Sequence, residues 1–295
     1  MSGLEGSLDG IAVVDKQAGW TSHDVVAKAR GIFGTRKIGH AGTLDPDATG
    51  VLLLGVGRAT RLLRFITPLR KQYSGEMVLG SETTTLDASG EVSATYDMAA
   101  VQPQQVAEAA LAFVGEITQV PPMVSAVKVG GQRLYELARA GKEVPRAARP
   151  VTIYSLGVTP LDAQAGVYRL QVTCSSGTFI RSLAADIGTA LGGGAHLRAL
   201  CRQAIGSFHI SQAKPLTSVE ILPLAEVMRD YASVIVSNAV ANRVANGQVL
   251  TVDELGATGT GPWAVYGVDA ELLAVYQEHG VARVKPCVVM AREHR

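Results

Sequence analysis

The stretch of the chain that could do chemistry is GHAGTLDPDATG, residues 39–50. Asp45 stands directly before Pro46, with glycines at 39, 42 and 50 around it. Proline pushes the residue before it toward an extended conformation, and glycine lets the backbone approach closely. One carboxylate is thus presented on a tight loop, and the apolar run at residues 51–57 behind it reads as a buried element. A carboxylate held in this way can be a nucleophile, a general base or a metal ligand. The metal role asks for more carboxylates or histidines nearby, and only Asp47 is close. The same residues also suit the N-cap of a helix with Pro46 at its first position, and on pattern alone capping ranks ahead of catalysis.

Charge along the chain suggests a partner. The net charge is +1, but residues 28–71 set nine Lys and Arg against only Asp45 and Asp47. Residues 128–149 add six more basic residues against Glu136 and Glu143. For one such cluster a solvated surface is explanation enough. Two clusters, one enclosing the candidate loop, favour a polyanion, because phosphate neutralisation drives nucleic-acid affinity. Asp45 then reads as a nucleophile acting on RNA.

The elements that must position this loop can be read in order. Residues 11–14 form a β-type run, and the Thr21-Ser22-His23-Asp24 stretch offers N-cap residues for a helix that ends near Gly31 or Gly34. Residues 59–66 have apolar side chains at helical spacing, and residues 71–80 read as a strand with partial alternation. A turn-rich segment at 81–90 leads to a helix over 103–114, with Pro103 at its start and Gly115 beyond its end. The PPMVSAVKVGGQRLYELARAG stretch predicts a strand, a Gly-Gly turn and a helix ending at Gly141. Two β-type runs at 151–158 and 166–174 precede SSGTFIRSLAADIGTALGGG, a loop entering a helix that glycines terminate. Strands mixed with a few helices, without a regular βαβ rhythm, predict an α+β fold with a mixed, mostly antiparallel sheet.

Past residue 215 the texture changes. VEILPLAEVMRDYA predicts a helix, and AVYGVD, LLAVYQ and ARVKPCVVM are short β-type runs. The expected division is a large domain over residues 1–230 and a small β-rich one over 231–295. With 47% hydrophobic and 18% charged residues, the chain can bury a sizeable core. Its three cysteines lie far apart and form no CxxC pair, so neither a disulfide framework nor a cysteine-rich metal site is indicated. No signal-peptide pattern and no apolar run near 18 residues is present, which makes the cytoplasm the expected compartment.

HAGTLDPDATGVLLLGVGRATR closely resembles the signature H-x-G-T-L-D-P-x-A-x-G-x-L of the TruB-type pseudouridine synthases. Three further segments agree in order. DKQAGWTSHDVV is similar to the family's early K-P-x-G-x-T-S stretch, KQYSGEMVLG to its tyrosine-bearing strand, and CSSGTFIRSLAADIG to its G-T-Y-I-R-S-L motif. The resemblance covers residues 10–210, and the tail resembles the PUA-like RNA-binding modules of bacterial members. It implies a pseudouridine synthase fold and isomerisation of uridine 55 in the T-arm of tRNA. The base would be flipped out of its stack, with no cofactor, no metal, no membrane, no obligatory protein partner, and action as a monomer.

What the resemblance implies for residues is specific. Asp45 matches the family nucleophile, Tyr73 the tyrosine stacked on the target base, and Arg181 the arginine that pairs with the nucleophile and keeps it ionised. His40 matches the histidine that fills the gap left by the flipped nucleotide, and Leu200 a leucine lining the uracil pocket. Asp87 matches an aspartate near the active-site loop. Without the family, Tyr73 reads as a core strand aromatic, Arg181 as a surface helix residue, His40 as a loop histidine and Leu200 as a core leucine. Two positions depart from the pattern: Gln17 replaces a proline, and Phe179 replaces a tyrosine, so a phenolic hydroxyl is missing while apolar lining remains. The competing expectations are an RNA-binding protein or folding chaperone without catalysis, and a nucleobase glycosylase that would release free uracil.

Overall fold

The computed structural model describes residues 8–290. Its framework is a ten-stranded mixed sheet. The strands run in the order Ile221–Pro223, Gly10–Lys16, Thr49–Val56, Ala195–Ile205, Lys71–Leu79, Val167–Cys174, Arg149–Asp162 and Gly115–Gln119. Ile38–Ala41 also pairs with Thr49–Val56, and Phe208–His209 with the end of Ala195–Ile205. Every pairing described in this sheet is antiparallel except one: Cys201 and Arg202 run parallel to Thr49 and Gly50. That short parallel contact joins the two halves of the sheet, and the Asp45 loop enters its strand there.

The apolar run at residues 51–56 is continuous because both faces of its strand are covered. Val51 and Leu53 point into one cluster with Ile11, Val13 and Phe65, whereas Leu52 and Leu54 point into another with Ala12, Val14 and the helix residues Val25, Val26 and Ala29. A strand alternates its side chains between faces, so full burial asks for apolar residues at every position. The helix Ser22–Ile32 begins with a capping box in which Thr21 and Asp24 satisfy each other's backbone N–H groups. On the other half of the sheet, the helices Pro103–Leu111 and Ile180–Ala190 cover Met77, Leu170 and Val172.

A second, five-stranded sheet is built from Ser233–Ile235, Trp263–Tyr266, Leu272–Glu278, Arg283–Val289 and Leu250–Thr251. It is not an isolated unit. Ala264, Leu272, Val275, Val288 and Met290 belong to the same apolar cluster as Ile11, Val13, Phe65 and Met228. Arg58 and Arg61 donate to the carbonyls of Met290 and Val289. Two of the nine basic residues counted in the sequence therefore fasten the two sheets together.

Two stretches differ from the expectation. Residues 219–232 are not one helix but the edge strand Ile221–Pro223 and a 3-10 helix Leu224–Met228. Pro223 explains this, since it has no N–H for a helix interior but is tolerated in an edge strand. The apolar spacing of the segment fits both forms. In the tail, where the sequence suggests only short β-type runs within a β-rich unit, Asn238–Ala245 is a helix that lays Val244 into the core of the second sheet. No helix among the described residues is long and apolar enough to cross a membrane.

Candidate active site

The loop between the strands Ile38–Ala41 and Thr49–Val56 carries Asp45. Its backbone closes a β-turn in which the Ala48 N–H donates to the Asp45 carbonyl at 3.1 Å. Pro46 is the second residue of that turn, where its fixed φ fits. No helix starts at Pro46, so the capping role considered for Asp45 does not arise.

The loop is held from three sides. Lys16, fully buried, donates from Nζ to the carbonyls of Pro46 (2.8 Å), Trp20 (2.6 Å) and Gln17 (2.9 Å). The Leu44 N–H donates to Ser22 Oγ at 2.9 Å. Arg202, 1% exposed, donates to the carbonyls of Val51 (2.8 Å), Gly42 (2.9 Å) and, more weakly, Thr43 (3.4 Å). The early DKQAGWTS stretch is thus part of the site's scaffold. Gln17 serves there through its backbone carbonyl, so the missing proline removes no contact. Gly50, at φ +95°, sits so close to the neighbouring strand that a Cβ would lie 2.3 Å from the Arg202 carbonyl.

Arg181 is the hub of the site. Although 5% exposed, it bonds Asp45 at 3.0 Å and Asp87 at 3.3 Å. It also donates to the carbonyls of Thr85 (3.0 Å) and Val124 (2.7 Å). Asp87 is itself fixed by the hydroxyls of Thr85 and Ser89. One planar guanidinium therefore ties together the Asp45 loop, the turn at residues 85–89 and the segment before the basic hairpin. Its helix, Ile180–Ala190, starts at Phe179, whose backbone N–H and carbonyl are both engaged by the buried side-chain amide of Gln119.

A cavity of about 340 Å³ opens beside this hub, lined by Asp45, Lys71, Tyr73, Phe179, Leu200 and Arg202 among others. A second, of about 320 Å³, lies across Asp45, Arg181 and Leu200, with Asp87 and Arg198 in its wall. Six of the seven residues singled out from the sequence thus meet at one place. His40 does not line either cavity. It lies on the strand Ile38–Ala41, half-buried, with Nδ1 enclosed and unpartnered. Burial lowers its pKa, and the charges of His23 and Arg202 act the same way.

Electrostatics differ from expectation in one respect. Pairing with Arg181 was expected to favour the ionised carboxylate of Asp45. The net direction is the opposite: burial raises its pKa, Arg181 only opposes this, and Asp87 adds to the rise. Asp45 nevertheless keeps 43% of its side-chain surface open to the cavity. Burial also raises the Tyr73 pKa, so its phenol is neutral near neutral pH. Lys16 and Lys71 are both lowered by burial to about 8. Sequence reading missed Lys16, Lys71, Gln119 and Arg202 as parts of the site. Only their burial, which no local pattern signals, sets them apart from other polar residues.

Comparison with known proteins adds three findings. Residues 30–180 match the family model described as TruB family pseudouridylate synthase (N terminal domain). The curated tRNA pseudouridine synthase B of Arthrobacter sp. (strain FB24) is 42% identical over 302 residues, covering 96% of this chain and 97% of that protein. Its namesake in Thermobifida fusca (strain YX) is 44% identical and covers 96% and 99%. Among solved structures, a chain of a Cbf5-Nop10-Gar1 complex superposes with a TM-score of 0.75 at 24% identity, covering 98% of this chain and 87% of that one. This last likeness concerns the fold alone.

Proposed function

The chain belongs to the TruB family of pseudouridylate synthases, and from that premise we propose that it converts uridine 55 in the T-arm of tRNA to pseudouridine, with Asp45 as the reacting carboxylate. The observation that carries this reading is the Asp45 carboxylate itself. It is held 3.0 Å from a buried arginine and opens into a cavity walled by Tyr73, Phe179 and Leu200. A uracil ring can lie between such apolar and aromatic walls only after leaving its stack, which is how enzymes reach a base in structured RNA.

The isomerisation breaks the bond between ribose C1′ and uracil N1, turns the ring, and forms a bond between C1′ and C5. The C5 proton is lost and N1 gains one, so no redox partner and no external group is consumed. Asp45 can serve by bonding to C1′, by taking the C2′ proton to give a glycal, or by adding to C6 of the ring. Arg181 aims the carboxylate and opposes its protonation. Tyr73, neutral and partly buried, stacks against the ring, and Phe179 supplies apolar wall where a tyrosine would add a hydroxyl. Filling the gap in the RNA stack by His40 would place that side chain outside the base pocket, which agrees with its position on the adjoining strand.

The second sheet, formed within residues 231–295, acts as a PUA-like surface for the rest of the RNA. The hairpin Lys128–Val129 with Gln132–Arg133 and the helix Leu134–Arg139 act as a basic clamp on it. The enzyme needs no protein partner for this and works as a monomer. The experiment is Asp45→Asn with a T-arm stem-loop. Binding should stay near normal while no pseudouridine appears by carbodiimide labelling and primer extension. A fully active variant overturns the assignment, and release of free uracil by the native protein points instead to a glycosylase.

A further inference from the structure

We propose that Arg202 and Lys71 form a cationic floor under the base pocket that stabilises the negative charge left on the uracil ring when its bond to ribose breaks. The inference rests on the reading above and concerns the same cavity. Both residues line it, and both are almost completely enclosed, Arg202 at 1% and Lys71 at 4% exposure. Among the described residues neither has a carboxylate within 4 Å; the site's acidic groups Asp45 and Asp87 are engaged by Arg181. Arg202 donates only to carbonyls of residues 42, 43 and 51, and Lys71 only to those of Thr67 and Leu69. These are neutral acceptors. They hold the cations in place without cancelling their charge.

A buried cation without a counter-ion is costly to keep. Structure alone gives little reason for two of them, since the carbonyls could be satisfied by neutral donors. The geometry says what they face. Arg202 is the cross-strand partner of Tyr73, and Lys71 lies two residues before Tyr73 on the same face of its strand. Both cations therefore lie on the strand face that carries Tyr73 at the cavity wall.

The chemistry supplies the need. When C1′–N1 breaks, the bonding pair stays on the ring, giving a uracil anion with charge shared by N1, O2 and O4. C1′ is then met by the Asp45 carboxylate, or C2′ loses its proton to it. In either route the anion must persist while the ring turns from N1 to C5. Fixed positive charge in a water-poor cavity stabilises such an anion without reorganising. Arg202 then acts on the ring by its charge, and Lys71 strengthens the same field.

The test uses Arg202→Lys, Arg202→Gln and Lys71→Met in the full chain, with single-turnover rates on a T-arm stem-loop, RNA affinity and thermal unfolding measured together. The neutral Arg202→Gln should react about 10²-fold slower, the scale seen when one anion-stabilising donor is removed. Arg202→Lys should keep most of the rate, and Lys71→Met should lose about tenfold, with affinity unchanged in all three. A stem-loop carrying 5-fluorouridine at the target supplies a readout that a scaffold role would not move. Fluorine stabilises the ring anion, so consumption of that substrate should suffer far less from Arg202→Gln. An equal deficit on both substrates, or equal losses for Arg202→Lys and Arg202→Gln, overturns the inference. If Arg202→Gln fails to fold, Lys71→Met on the two substrates decides by the same criterion. If the native protein makes no pseudouridine at all, the proposed function fails instead, and the two failures are told apart.

Discussion

Removing the charge of Arg181 tests how the candidate site is held and tuned. The guanidinium meets Asp45 at 3.0 Å, Asp87 at 3.3 Å and the carbonyls of Thr85 and Val124 at 3.0 and 2.7 Å. An ion pair at such range is worth up to about 4 kcal/mol at an effective dielectric near 20. Asp45 leaves 43% of its side chain open, so screening reduces this. A charge-assisted bond worth about 1.5–3 kcal/mol remains. Arg181→Met should therefore slow the reaction by roughly ten- to 150-fold at neutral pH, taking about 1.4 kcal/mol per factor of ten. Arg181→Lys keeps the charge but not the fork that spans both carboxylates, and should fall between the two. The pH profile gives the sharper check. Arg181 is what opposes the rise in the Asp45 pKa, while burial and Asp87 promote it. Without Arg181 the carboxylate protonates at higher pH, so the acid limb of the rate profile must move upward and activity must recover in part as pH rises. Single-turnover pseudouridine formation between pH 5.5 and 9, with circular dichroism to confirm folding, measures both. A folded Arg181→Met variant with an unmoved acid limb refutes the reasoning.

Three more outcomes are expected. Gly50→Ala puts a methyl 2.3 Å from the Arg202 carbonyl at φ +95°, so calorimetry should show a lower Tm and the loop's misplacement should cut the rate by at least tenfold. Lys16 and Lys71 have folded pKa values of about 8 against 10.5, so between those values the unfolded chain holds more protons than the folded one. Stability should rise with pH from about 8 to 10, and urea titrations of Lys16→Met should show a flatter rise. Phe179→Tyr should leave the rate within about threefold, since its wall is apolar contact, whereas Phe179→Ala should raise KM more than it lowers kcat.

How much of this was legible in the sequence differs by element, for physical reasons. The continuous apolar run at 51–56 and the Thr-Ser-x-Asp cap announce a doubly covered strand and a helix start, because both are local demands on a few neighbouring side chains. The loop that carries Asp45 was equally plain, from its glycines and Pro46. Residues 219–232 misled because apolar spacing there satisfies a helix, while the pairing of Ile221–Pro223 with Gly10–Ala12 is settled some 210 residues earlier in the chain. The charge count misled in part for a similar reason. Arg58 lies in the basic segment but pairs with Asp9 and donates to the carbonyl of Met290.

Lys16, Lys71 and Arg202 show where local reading stops. A lysine or arginine in a strand is ordinarily a solvated residue, and nothing within a window of ten says otherwise. What changes their meaning is the sheet. The parallel contact of Cys201 and Arg202 with Thr49 and Gly50 brings Arg202 behind the Asp45 loop, and antiparallel register then sets it opposite Tyr73. Each of the three cations is enclosed and bonded only to carbonyls. A fold that gathers unpaired positive charge around one cavity tolerates that desolvation at the expense of stability. Among the buried cations of the site, Arg181 alone is matched by carboxylates, and it holds Asp45. The charge is divided between a paired arginine that governs the reacting carboxylate and a set of carbonyl-bonded cations beneath the pocket. That division is the feature of the site that only three-dimensional structure makes visible.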